Sequence, residues 1–317
     1  MVEPLLVDGA ILLAGVVLLY LGAELLVSAA SALALSHGLR AATVGVTVVA
    51  FATTAPELFV SSIGGLTASD SIALGNIVGS NIANIGLVLG TAAFLRPMAV
   101  DEDILYQHGP FMLAAAVALV VLSLDGTLTK LDGALLLALL AGFTGYLYYQ
   151  SKQGSVKLPE DVEMEAENST AGAREYLTLL GGILLLLVGS RSLILGGRGV
   201  LTAWGFSDLV IGLTIIAFGT SVPELATSVV SALRDEADFS IGNVVGSNIY
   251  NVLAVIGIVA LLVPITVEAS TMAYELPVML GFTFVALGIM GVGERVTRIE
   301  GVGLIAGYAG FIYFLLP

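Results

Sequence analysis

Residues 45–57 read G-V-T-V-V-A-F-A-T-T-A-P-E, and residues 212–224 read G-L-T-I-I-A-F-G-T-S-V-P-E. A second motif follows each: L-G-N-I-V-G-S-N-I-A-N-I-G at 74–86 and I-G-N-V-V-G-S-N-I-Y-N-V-L at 241–253. The offset is constant: 224 − 57 = 167 for the glutamates, 247 − 80 = 167 for the serines and 251 − 84 = 167 for the asparagines. It also joins Gly22 to Gly189, Gly38 to Gly205, Pro97 to Pro264 and Pro110 to Pro277. The chain therefore reads as a duplicated unit. Each copy carries a carboxylate inside an apolar segment, where charge is costly and marks function.

Around these motifs the composition is that of a membrane protein. Of 317 residues, 57% are hydrophobic and 11% charged, far less charge than a soluble surface of this size needs. Ten apolar segments can be drawn, near 9–34, 43–66, 71–95, 109–124, 131–150, 176–196, 208–233, 239–263, 276–293 and 299–316. Runs of about 18 apolar residues or more point to spanning helices. The start Met1-Val2-Glu3-Pro4 lacks a basic n-region, so the first run reads as a retained span rather than a signal peptide. The expected fold is an all-α polytopic membrane protein. Five spans per copy is odd, so the second copy enters the membrane from the opposite side, as inverted repeats.

The expected division is a first repeat over 1–150, a linker over 151–175 and a second repeat over 176–317, with motif regions at 43–90 and 210–257. Arg40, Arg96, Lys152, Lys157, Arg174, Arg234, Arg295 and Arg298 fall on one side, and Lys130 and Arg198 on the other. The positive side is cytoplasmic, which puts both termini outside and the 151–175 loop inside. That loop contains P-E-D-V-E-M-E-A-E-N. It has no Ca²⁺-loop spacing and reads as a solvated linker, with cation collection the lesser alternative. Asp101, Glu102 and Asp103 read as a solvated helix end. The net charge of −14 argues against nucleic acid as a partner. With no cysteine in the chain, disulfides and thiolate sites are excluded.

The motifs supply oxygen. Pro56 and Pro223 each remove a backbone donor from an apolar helix and loosen the carbonyls of Ala52 and Gly219. Broken helices at membrane depth are tolerated where they line a cavity. Thr53, Thr54 and Glu57 share a helix face, as do Thr220, Ser221 and Glu224. Ser80 and Asn84 are four apart, as are Ser247 and Asn251. Carboxylates, hydroxyls, amide carbonyls and loosened backbone carbonyls suit a hard cation such as Ca²⁺, which takes about six to eight oxygens. Soft metals are poorly served, since the only histidines, His37 and His108, lie outside the motifs and read as interfacial.

Some of these hydroxyls can equally bond their own helix or pack small against a neighbour. Gly75/Gly79, Gly86/Gly90 and Gly242/Gly246 read as close-packing glycines. Glu24 and Arg191 are repeat equivalents, since 191 − 24 = 167. Glu24 reads either as a functional intramembrane acid or as a locally paired helix-end charge.

A-F-A-T-T-A-P-E-L and G-N-I-V-G-S-N-I-A-N, with A-F-G-T-S-V-P-E-L and G-N-V-V-G-S-N-I-Y-N, resemble the α-repeats of sodium/calcium exchangers. These belong to the cation/calcium exchanger superfamily, and the prokaryotic type is the nearest in pattern. The resemblance covers the chain. It implies ion sites between the second, third, seventh and eighth helices, and a first and sixth helix that slide to alternate access. Carried over by position, Glu57 and Glu224 would ligate Ca²⁺ and Na⁺. Thr53, Thr54, Ser80, Thr220, Ser221 and Ser247 would add hydroxyl or backbone oxygens, Ala50 and Ala217 backbone carbonyls, and Asn84 and Asn251 would flank the centre. Asn251 stands where some relatives have Asp, and Arg191 is unusual in the sixth helix.

The expected activity is Na⁺/Ca²⁺ antiport by alternating access, extruding Ca²⁺, with the monomer as the unit, the bilayer and the two ions as partners, and no cofactor. A proton/calcium antiporter is the nearest rival, and the two hydroxyl rows favour Na⁺ over protons. A passive channel needs a pore lined along its length. An intramembrane enzyme would need a nucleophile–base pair that the motifs do not contain.

Overall fold

The computed structural model describes residues 2–36, 41–58, 61–62, 70–153, 172–204, 221–293 and 295–315. Nearly all of them are helical, as an apolar chain in lipid requires, because a helix satisfies its own backbone donors and acceptors. In chain order the helices are α1 (Val2–Ser36), α2 (41–53), α3 (70–95), α4 (Ile104–Leu122), α5 (Lys130–Gln153), α6 (Ala173–Ala203), α7 (Val222–Leu233), α8 (Ala237–Leu262), α9 (Thr271–Gly293) and α10 (Arg298–Leu315). Eight are long and apolar enough to cross a membrane, and α2 and α7 are shorter apolar helices. The expected spans 43–66 and 208–233 fall partly outside the described residues.

Burial sorts the helices into a centre and a wall. The spanning windows of α3 and α8 are 78% and 89% buried, against 17% to 39% for the other six. α3 and α8 therefore form the middle of the molecule, and most of the remaining surface is apolar and turned outward. Several helices widen locally into π-turns, at Gly45–Val49, Asn84–Leu89, Ile104–His108, Asn251–Ile256 and Thr271–Glu275. Such turns cluster at functional sites. Two pairs of them keep the repeat offset, 251 − 84 = 167 and 271 − 104 = 167. Helical periodicity does not announce these turns.

Four two-residue strands tie the halves together. β1 (Met98–Ala99) pairs antiparallel with β4 (Arg295–Val296), and β2 (Thr127–Leu128) with β3 (Ile265–Thr266). Each pair joins a segment of the first half to one of the second.

α1 and α6 run antiparallel, backbone against backbone. A Cβ on Gly22 would lie 2.8 Å from Leu186 N, and one on Gly189 would lie 2.8 Å from Leu19 N. Gly15, Gly182 and Gly196 are equally crowded by the opposite helix. Gly182, Gly189 and Gly196 recur every seven residues, which keeps one small face turned to the partner. Of the glycines expected to pack closely, Gly86, Gly90, Gly242 and Gly246 do so. At Gly75 and Gly79 a Cβ would meet nothing within 4 Å among the described residues, and the repeat equivalents of the segment that crowds Gly242 and Gly246, residues 209–217, lie outside them.

Glu24, on α1, is held by an ion pair. Arg234 reaches its carboxylate at 3.3 Å and its backbone carbonyl at 3.3 Å, and the Tyr20 hydroxyl donates to it at 3.3 Å. Ser31, two turns on, donates to Glu236 at 2.8 Å. The pairing of Glu24 thus spans 210 residues, which no local spacing reveals. Arg191 is exposed on the outer face of α6. His108 is buried against Phe143 rather than interfacial, while His37 lies outside the described residues.

Candidate cation site

The two glutamate motifs break their helices in related ways. In the first copy α2 ends at Thr53, Thr54 turns with ψ of −6°, and the helical conformation resumes through Leu58. Pro56 supplies no N–H across this break. In the second copy Ser221 has ψ of 5°, and α7 starts at Val222, with Pro223 in its first turn. There its missing donor costs nothing. Glu224 follows in the same turn, where the aligned backbone dipoles favour negative charge.

Both carboxylates sit in the interior: Glu57 and Glu224 are each 0% exposed. Glu224 is faced by the side chains of Thr53 and Ser247, yet neither of its oxygens accepts a hydrogen bond within 3.5 Å among the described residues. The Thr53 hydroxyl lies 3.0 Å from Asn243 Oδ1, 3.3 Å from Ser247 Oγ and 3.2 Å from Ala50 O. A first-copy hydroxyl is therefore built into the second copy's glutamate site. Ala50 O also accepts the Thr54 N–H at 3.0 Å. The single Thr53 hydroxyl proton can go to Ala50 O or to Asn243 Oδ1, and when it goes to Asn243 one lone pair of Ala50 O is left open.

The remaining expected residues are placed as follows. Thr54, Ser80, Ser221, Ser247, Asn84 and Asn251 are all buried. The hydroxyls of Thr54 and Ser221 and the Oδ1 atoms of Asn84 and Asn251 have no hydrogen-bond partner among the described residues. Thr220 and Ala217 lie outside the described residues. No group of three or more His, Cys, Asp or Glu gathers among the described residues. A cation here would meet at most two carboxylates and a larger number of neutral oxygens.

Several polar residues escaped the spacing argument although they stand in the repeated motifs. Asn76 donates to Ser61 at 3.0 Å, and its equivalent Asn243 donates to Ser228 at 3.0 Å. Asn243 also donates to Glu224 O at 3.3 Å, bracing the backbone that carries the carboxylate. Asn81 and Asn248 bond across the middle of the molecule. The signal was available, since 243 − 76, 228 − 61 and 248 − 81 all equal 167.

The comparisons with known proteins bear on the family and the fold. The sequence profile of the sodium/calcium exchanger protein family matches residues 8–149 and again 175–316. The CaxA protein of Alkalimonas amylolytica is 35% identical over 98% of this chain and 99% of its own. The sodium/calcium exchanger MaX1 of Methanosarcina acetivorans is 30% identical over 98% of both chains. The solved structure of the sodium-calcium exchanger NCX_Mj superposes with a TM-score of 0.84 at 28% identity, over 98% of this chain and 99% of that one. A twofold profile match, full-length relatives and a shared fold place this chain in the sodium/calcium exchanger protein family, among relatives of prokaryotic type.

Proposed function

We propose that this protein is a secondary antiporter that exchanges Na⁺, moving down its gradient, for Ca²⁺, and that it extrudes Ca²⁺ from the cytoplasm. One observation carries the reading: two fully buried carboxylates, Glu57 and Glu224, share an apolar interior with open hydroxyl and amide oxygens. Such carboxylates need a cation or a proton to compensate them. Two formal negative charges are balanced by one Ca²⁺ or by two Na⁺, and that competition couples the two fluxes. Each ion then shifts the access equilibrium only by its differential affinity for the two states.

The test is ⁴⁵Ca²⁺ uptake into proteoliposomes under an outward Na⁺ gradient and, separately, an outward proton gradient. Uptake with Na⁺ alone supports the proposal. Uptake with the proton gradient alone makes the protein a proton/calcium antiporter, and uptake that persists with no counter-gradient makes it a channel.

We further read the chain as ten spans in two inverted five-helix repeats, 1–150 and 176–317, joined by a cytoplasmic linker over 151–175. The strand pairs support this. β1 and β4 put the end of α3 and the α9–α10 connection on one face, and β2 and β3 put the α4–α5 and α8–α9 connections on the other. α6 starts on the β1 face and α8 ends on the β2 face, so the chain between them crosses once, through α7. α1 runs antiparallel to α6, so it ends on the β1 face, and α2 must cross once before α3. The β1 face carries Arg96, Arg234, Arg295 and Arg298 and is read as cytoplasmic, leaving both termini outside.

Two further outcomes follow from this reading. Deleting residues 159–168 leaves Na⁺-driven Ca²⁺ flux largely unchanged, because the run has linker composition. Lost flux at preserved protein level would make it regulatory. Asn251→Asp changes ion selectivity or the pH profile rather than abolishing transport. An aspartate there can only accept, yet it faces Asn81 Oδ1, which already accepts from Asn251 at 2.9 Å. Either the Asn81 amide turns over or the aspartate takes up a proton. Flux measured across a pH series, with and without K⁺, checks this, and profiles superimposable on wild type would remove Asn251 from the cation site.

A further inference from the structure

Asn81 and Asn248 stand at the centre of α3 and α8, 3% and 2% exposed. They are repeat equivalents, and their contacts are reciprocal. Asn81 Nδ2 donates to Asn248 O at 3.4 Å, and Asn248 Nδ2 donates to Asn81 O at 3.4 Å. Their remaining amide protons point at thioethers, Met279 Sδ at 3.8 Å from Asn81 and Met112 Sδ at 3.9 Å from Asn248. The methionines are themselves equivalents, since 279 − 112 = 167.

Partners decide which way an amide points. A backbone carbonyl and a thioether can only accept, so both NH₂ groups must face them. Each Oδ1 is thereby turned the other way. There Asn248 Oδ1 accepts from Asn84 Nδ2 at 3.1 Å, and Asn81 Oδ1 accepts from Asn251 Nδ2 at 2.9 Å. Because Asn84 and Asn251 must present their nitrogens to these oxygens, their own Oδ1 atoms are left open. Both oxygens are buried and accept no hydrogen bond among the described residues.

We propose that Asn81 and Asn248 are positioning residues that fix the amides of Asn84 and Asn251 with oxygen, not nitrogen, turned to the transported cation. The proposal rests on the cation-site reading above. Without the fixing pair, each outer amide is free to turn its NH₂ group toward the ion, where two partial positive charges replace a ligand. The device works across the halves: Asn248 orients Asn84, and Asn81 orients Asn251. It therefore makes the two halves of the site dependent on each other.

A double-mutant cycle on the full-length purified protein tests this, with ⁴⁵Ca²⁺ equilibrium binding as the readout and the thermal unfolding midpoint measured alongside. Asn84→Ala and Asn248→Leu are each expected to raise the half-saturating Ca²⁺ concentration about tenfold, the scale of one lost ligand hydrogen-bonding group. The double variant is expected to be no weaker than either single one, because Asn248 has nothing left to orient. Costs that multiply in the double variant would show that Asn248 acts only on the fold, and would overturn the proposal. Unchanged binding in Asn84→Ala would instead overturn the cation-site reading itself. If Asn248→Leu fails to fold, the mirror cycle of Asn81→Leu with Asn251→Ala decides by the same criterion.

Discussion

Glu224→Gln will reduce Na⁺-driven Ca²⁺ exchange by at least about a hundredfold, and Glu57→Gln will do the same. At about 4 Å and an effective dielectric of about 20, two unit charges interact by about 4 kcal/mol, so a divalent ion loses about 8 kcal/mol when one carboxylate is neutralised. The glutamine carbonyl returns part of this as a dipole. With about 1.4 kcal/mol per tenfold in binding, a hundredfold loss survives a generous discount. Folding should be preserved at Glu224, since neither carboxylate oxygen has a hydrogen-bond partner among the described residues that the amide would break. Ca²⁺ flux in proteoliposomes, with the unfolding midpoint as control, makes the measurement. Near wild-type exchange in either variant would remove that glutamate from the site.

Gly182→Leu will abolish exchange, and Gly181→Leu will not. A Cβ on Gly182 would stand 2.7 Å from Leu26 N and 2.9 Å from Gly22 O, both backbone atoms that cannot step aside. One residue earlier, a Cβ on Gly181 meets nothing within 4 Å among the described residues. The first substitution forces α1 and α6 apart along their close seam, and the second only adds an apolar side chain to the surface. The pair lies outside the cation site. Gly182→Leu is therefore expected to bind ⁴⁵Ca²⁺ in detergent while losing flux by more than about tenfold, as expected when a moving element is damaged rather than a ligand. Flux in Gly182→Leu equal to that in Gly181→Leu would mean that the close seam plays no part in transport.

The sequence carried the family, the helical class and the positions of both glutamates, because these depend on composition, a constant offset and a proline beside an acid. Local spacing says which face a residue shares, not what that face meets. Thr53 was legible as a hydroxyl beside Glu57, but its place beside Glu224 and Ser247 depends on how α2 lies against α7 and α8. The same limit hid the Glu24–Arg234 pair. It also hid the exchange between Asn81 and Asn248, whose bonds each cross 167 residues. The four-residue glycine spacing is in use at Gly86/Gly90 and Gly242/Gly246, and the seven-residue spacing on α6 makes a second close seam.

The strand pairs also bear on ancestry. Advance β1 by the repeat offset and it becomes β3, since 98 + 167 = 265; β2 advanced by one residue more becomes β4, since 127 + 168 = 295. The β1–β4 contact and the β3–β2 contact are thus one contact made twice, as is the bond between Asn81 and Asn248. A contact that survives exchange of its two sides is what a twofold dimer makes. On the proposed inverted-repeat reading, two copies of one half would contain every partner these joints require. Within a single chain the two sides are free to differ. Glu24 faces Arg234 at one end, whereas their counterparts by offset are Arg191 and Thr67, which cannot form that ion pair. An ancestral pair of identical halves could not distinguish inside from outside, and it is at such mismatched positions that the fused protein can.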